Sequence, residues 1–404
     1  MHVAFVAPFL RPNTLRYVRA LVAIDGVRLS LLTCDSADRL AAVAPELLGR
    51  VTVTPVGRSL DAAALVAACR TLSGVPDRLL GMLEQLQLPL AEARDTLGIP
   101  GMGAEAALAF RDKDRMKQVL RAAGLPVARH RRLESEAEGL AAAAELGLPL
   151  ILKPVDGVGS RATFRITTDD DLRAALAHLR PAPERPVQLE EFVVGAERTL
   201  EMVLIDGEPV WWSGTRYHPT PLQVLENRWM QYTVTLPAEA TAPWTDFAPV
   251  AAEALKALGL QTGLAHMEWF ETADGRFVIG EVGARPPGVN IMPLMSHVFD
   301  TDMVAAWCRL MVEGTWPCPE RVRSAGSAFF RGQGRGHRVV AVRGLAEAHE
   351  AVGELVVDRE LPQVGQTPQT GYTGEGWAIV AAPTTQAVVS ALGTLVRTVR
   401  VELG

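Results

Sequence analysis

Across its first hundred residues the chain exchanges short apolar runs for helically spaced ones with very few residues between them, and few architectures tolerate that rhythm. The run VAFVA (Val3–Ala7) is apolar without alternation, which suits a strand buried on both faces. Helical spacing follows at Asn13–Ile24, strands are expected at Val27–Thr33 and Val51–Thr54, and a helix at Ser59–Leu72. Another apolar run, Arg78–Leu83, precedes a helix at Pro89–Leu97, and GIPGMG (Gly98–Gly103) closes the stretch. Strand and helix in alternation with short joints predict an open parallel sheet, an α/β arrangement.

Beyond this point the pattern changes. A helix is expected over Asp112–Ala123, stopped by Gly124 and Pro126, and a second over Ser135–Leu146. Strands Leu150–Pro154 and Phe164–Thr167 flank a glycine-rich turn, and helix Asp169–Leu179 opens on an acidic turn that favours its dipole. From Glu197 onward strands dominate, with hairpin turns at Asp206–Gly207 and Asp274–Gly275. A chain of 404 residues exceeds one compact core. The expected division is a parallel-sheet domain (1–108), a small α+β lobe (109–189) and a large lobe (190–404) that includes a strand–helix module from about Ser324.

Several function classes drop out. A net charge of −6 leaves no basic footprint for a nucleic acid. The four cysteines are scattered and form no CxxC pair, which speaks against disulfides and thiolate metal sites and fits a reducing cytoplasm. No apolar stretch reaches the ~20 residues that cross a bilayer, so no membrane association is expected. The first strand lacks the glycine fingerprint of a dinucleotide fold.

Only four of the 40 basic residues are lysines, and Lys153 sits at the end of a buried strand, just before the turn DGVGSRAT. Asp156, Gly157, Gly159 and Ser160 lie in that turn, where small residues let backbone N–H groups approach phosphate oxygens. The same residues also read as an ordinary glycine-containing hairpin. Next comes VQLEEFVVGAE, an apolar strand ending in Glu190 and Glu191 and followed by Glu197. Backbone around Glu191, Phe192 and Val193 suits the edge of an adenine, with Glu190 accepting from its amino group and Glu197 from ribose hydroxyls. Solvated strand carboxylates are the alternative. On two later strands, Glu268 (AHMEWF) and Glu281 (VIGEVGARPPG) stand among apolar neighbours, a hard-donor pair that prefers Mg²⁺, with Mn²⁺ as an alternative. Arg285 follows within reach of an oxyanion or a transferring phosphoryl group. Lys113 opens a helix as a candidate second phosphate cation, while Lys117 and Lys256 are expected on helix surfaces.

Lysine, then lysine with a glycine-rich loop, then the Glu-Glu hinge, then Glu268 and Glu281-x-x-x-Arg285, resembles the ATP-grasp superfamily in its order. Within that superfamily the chain looks closest to carboxylate–amine ligases of the L-amino-acid ligase kind. The resemblance implies an ATP-grasp fold with a Rossmann-like N-terminal domain, and ATP and Mg²⁺ as cofactors. It assigns the phosphates to Lys113, Lys153 and the loop, and the purine and ribose to Glu190 through Val193 and Glu197. Metal goes to Glu268 and Glu281, and the acyl phosphate to Arg285. It further implies small carboxylate and amine substrates and a homodimer. One departure stands out: the family pattern Glu-x-Asn-x-Arg has Gly283 at its centre here, so the oxygen that asparagine would give a second ion must come from water or elsewhere. Substrate walls are expected in 216–232 and 285–297, with Arg216 and Arg228 for a carboxylate and Trp229 and Asn290 nearby. Trp211, Trp212, Trp229 and Met292 suit the lining of an apolar pocket, with core packing the commoner use of such residues. A carboxylase-like or phosphotransfer enzyme, or a nucleotide-binding protein without turnover, are the alternatives.

Overall fold

A computed structural model describes residues 1–157, 162–369, 371 and 373–404. The N-terminal sheet is parallel, in the order Val51–Pro55, Arg28–Thr33, His2–Val6, Arg78–Leu80. Its first strand is buried throughout because both faces are covered: Val3 and Phe5 enter one core, Ala4 and Val6 another. Helix Pro12–Val22, with proline in its first turn, lays Tyr17 edge-on against Trp307 of helix Met303–Glu313 at 5.3 Å between ring centroids.

The small lobe carries an antiparallel sheet in the order His130–Leu133, Val187–Glu191, Leu150–Pro154, Phe164–Ile166. Leu150, Leu152, Val187 and Leu189 point into the lobe's own core. Ile151, Lys153, Gln188 and Glu190 therefore share the opposite face, since Ile151 pairs with Glu190 and Lys153 with Gln188.

A nine-stranded sheet forms the large lobe. It runs Phe277–Gly283, Gly263–Thr272, Gly195–Ile205, Arg216–His218, Tyr232–Leu236, Ser324–Phe330, Gly376–Ala382, Val356–Glu360, and Glu208–Ser213 also pairs with Gly195–Ile205. Asp206 and Gly207 both take positive φ (51° and 82°), as the primed two-residue hairpin turn requires. The stretch from Ser324 is split: three of its strands complete the large sheet, while Gly332–Gln333, Val339–Arg343 and Arg400–Leu403 form a separate small one. One face of the large sheet buries Trp269 in a 4.1 Å ring stack on Phe247 of helix Trp244–Ala257. The other face shares a continuous core with the N-terminal sheet, running from Val3 to Ala381. Among the described residues no helix is long and apolar enough to cross a membrane.

Candidate active site

The polar face of the small sheet looks across a cleft of about 290 Å³ at the Glu268–Glu281 hairpin of the large sheet. Lys153 leaves its strand at the cleft floor, with Nζ 2.6 Å from Glu190 Oε1. Glu190 Oε2 accepts from Gln188 Nε2 at 2.6 Å and lies 3.1 Å from Lys117 Nζ. Burial opposes a charge on Glu190, but the two ammoniums outweigh it and hold its carboxyl down at about 2. Glu190 is thus the counter-ion of both lysines, on the cleft side where an adenine amino group was expected. Lys117 corrects an expectation: it is 1% exposed and lines the cleft instead of facing solvent. It stands one turn beyond Lys113 on helix Lys113–Ala122, hence on the same face.

Lys113 Nζ reaches Gly157 O at 2.8 Å and Glu281 Oε1 at 3.1 Å, tying the glycine-rich turn to the acidic hairpin. The Asp156 carbonyl accepts from Arg111. Gly159 and Ser160 lie outside the described residues. At the hinge, Glu191 is held by Arg129 (Nε to Oε2, 2.8 Å), and the Phe192 ring carries the Arg165 guanidinium 4.6 Å above it. Phe192, Val193 and Glu197 line the cleft.

Glu268 and Glu281 are cross-strand partners, and Glu197 follows on the next strand, where Thr199 pairs with Glu268. Burial, and Glu268 beside it, push the Glu197 carboxyl up to about 8. His266 is pulled down by burial, yet its bond to Glu201 Oε1 (2.8 Å) and the nearby Glu268 raise it to about 9. Among the described residues no three His, Cys, Asp or Glu close into a ready-made metal cage. Two carboxylates, with the remaining oxygens left to a ligand's phosphates and water, are a donor set that fits Mg²⁺.

Arg285 is paired with Glu84, from the turn that follows the edge strand Arg78–Leu80 of the N-terminal sheet. A Cβ on Gly283 would come within 3.2 Å of Glu84 Oε2, so the space over this glycine is filled by a carboxylate from 200 residues upstream. Glu84 and Lys117 are the two residues that sequence reasoning missed. The spacing from Lys113 was a usable signal for Lys117, whereas nothing local marks Glu84.

The expected substrate residues do not gather here. Trp229 is 57% exposed, and the Arg228 carbonyl accepts from Arg331. Asn290, at φ 63°, donates to Ser327 Oγ at 3.3 Å, and Arg216 sits mid-sheet opposite Arg198 and Thr235. From the same 216–232 segment it is Thr220, Pro221, Leu222 and Gln223 that line the cleft. Trp211 and Met292 are buried in the shared core.

A family model described as the ATP-grasp domain matches residues 118–289, the span that holds Lys153, the hinge and both hairpin carboxylates. The chain thus carries a segment similar to the ATP-grasp domain. It is 34% identical over 224 residues to the uncharacterized protein y4rH of Sinorhizobium fredii, covering 53% of this chain and 44% of that one. It is 28% identical over 230 residues to the D-alanine–D-alanine ligase of Aromatoleum aromaticum, covering 56% and 70%. With the corresponding ligase of Pseudomonas fluorescens the identity is 30%, covering 48% and 59%. The match thus spans only about half the length of the first of these relatives. Among solved structures, an L-amino acid ligase from Bacillus licheniformis superposes with a TM-score of 0.77 at 18% identity, covering 100% of this chain and 98% of that one. An N5-carboxyaminoimidazole ribonucleotide synthetase from Thermotoga maritima gives 0.70 at 17%, covering 100% and 99%. These two likenesses establish the ATP-grasp fold across the whole chain.

Proposed function

We propose that this ATP-grasp protein is an ATP-dependent carboxylate–amine ligase that makes an amide or peptide bond through an acyl phosphate, with an amino acid as one substrate. The observation that carries the reading is the convergence of Lys113 and Lys153 with Glu268 and Glu281 on one cleft, closed by the 3.1 Å Lys113–Glu281 contact. Cations above and carboxylates below suit a triphosphate with its metal. The base then lies along Phe192 and Val193, the ribose beside Glu197, and the phosphates between the lysines and the glycine-rich turn. Bound at Glu268 and Glu281, Mg²⁺ would neutralise phosphate charge.

The chain's own residues account for the rest. Lys113 and Lys153 hold the γ-phosphate in line for attack by the substrate carboxylate, and the P–O bond to ADP breaks as the acyl phosphate forms. Arg285, steadied by Glu84, faces the oxyanion that develops when an amine adds to the acyl carbon. Phosphate then leaves and the amide remains. No nucleophilic side chain is needed, because positioning and charge do the work. The names of the D-alanine and L-amino acid ligase relatives support an amino-acid substrate.

A carboxylase-like reading draws support from the ribonucleotide synthetase likeness. The test is a screen of amino acids, singly and in pairs, for phosphate release from ATP, with hydroxylamine added as a trap. A hydroxamate of one acid supports the ligase. ATP turnover with bicarbonate alone, and no hydroxamate, would favour the carboxylase.

A further inference from the structure

Three of the four lysines in the chain meet at the cleft, and two have tasks: Lys113 spans to Gly157 and Glu281, and Lys153 pairs with Glu190. Lys117 does not. Its Nζ is fully buried and lies 3.1 Å from Glu190 Oε2, but it is not aligned as a hydrogen bond to that oxygen or to any other acceptor among the described residues. At most one of its three donors is spent on Glu190, on a side chain that lines the cleft.

An ammonium in such a place is costly. Burial disfavours its charge, Lys153 repels it and Glu190 only partly compensates, so Lys117 is pushed below its ordinary value. A purely structural filling of the same volume would be apolar, since a buried charge without a full partner destabilises a fold. If Glu268 and Glu281 hold a metal ion, three ammoniums are left facing one carboxylate. The imbalance is one that an anionic occupant of the cleft removes.

We propose that Lys117 is a third nucleotide-binding cation, donating from its ammonium to the nucleoside triphosphate; this rests on the ATP reading of the cleft. Its partners in the fold are Glu190 on the strand opposite, Lys153 beside it, and Glu281 across the cleft.

The test is calorimetric titration of ATP into the full chain and into Lys117→Met, with nucleotide-free melting temperatures alongside. A lost charge-assisted hydrogen bond should weaken ATP roughly tenfold, while the nucleotide-free melting temperature holds or rises. Lys117→Arg, which keeps the charge, should recover part of the loss. Lys117→Met binding ATP within twofold of the parent would overturn the proposal. Should Lys117→Met not fold, Lys117→Gln takes its place, and parent-like affinity there would overturn it equally. A parent chain that binds no ATP would sink the ligase reading as well, so the two failures are told apart.

Discussion

Glu190 holds two lysines with one carboxylate, and that economy sets what single substitutions do. Removing Lys153 leaves Glu190 with Lys117 and Gln188, so the lobe should fold while phosphate charge goes unmet. Lys153→Ala and Glu281→Ala are each expected to cut ATP turnover by about 100-fold or more, a loss of roughly 3 kcal/mol of transition-state stabilisation. ADP release at the parental rate by either folded variant would refute the site. Glu197 gives a pH signature. Its carboxyl titrates near 8 in the folded chain against an ordinary 4.5, so the stability it adds is complete below pH 4.5 and is lost as pH climbs through 8. In metal-free buffer the urea midpoint should fall across that window, and Glu197→Gln should flatten the fall; an equally steep fall in the variant would count against the assignment. Lys153, Glu268 and Glu281 were legible in the sequence because each interrupts an apolar strand. The burial of Lys117 was not, since a helix sequence does not say which lobe will cover it. Glu84 was illegible for a different reason: its partner Arg285 lies 201 residues away.

Strands do the positioning, and their starts matter. Gly195 opens the strand that carries Glu197, and a Cβ there would meet the Glu271 carbonyl oxygen at 2.6 Å. Gly195→Ala should cost about 1–3 kcal/mol through displaced backbone. Thermal melting reads this, and a variant melting with the parent would show that the two strands part freely. Strands such as Leu150–Pro154 and Phe164–Ile166 lie where apolar runs and turn residues predicted them. Helix Pro221–Glu226 was not anticipated, and it is too short for periodicity to announce. Its location explains why Pro221, Leu222 and Gln223 border the cleft.

The cleft joins two sheets that share no strand, so a ligand there should act as a tie across the molecule. At a hundredfold excess over its dissociation constant, ATP with Mg²⁺ should add about 2.7 kcal/mol of stability. Melting curves should show the shift in the parent and not in Lys153→Ala; equal shifts in both would place the ligand elsewhere. The parallel sheet could be read from its rhythm, since neighbours in the chain are neighbours in space. The nine-stranded sheet could not, because it sets residues 232–236 beside 324–330 through contacts that no local pattern encodes. The core that runs from Val3 to Ala381 bears on how the protein is made. Tyr17 leaves the ribosome 290 residues ahead of Trp307, the ring that covers it. At 5–20 residues per second that is roughly 15–60 s during which a nascent apolar helix face has only chaperones for company.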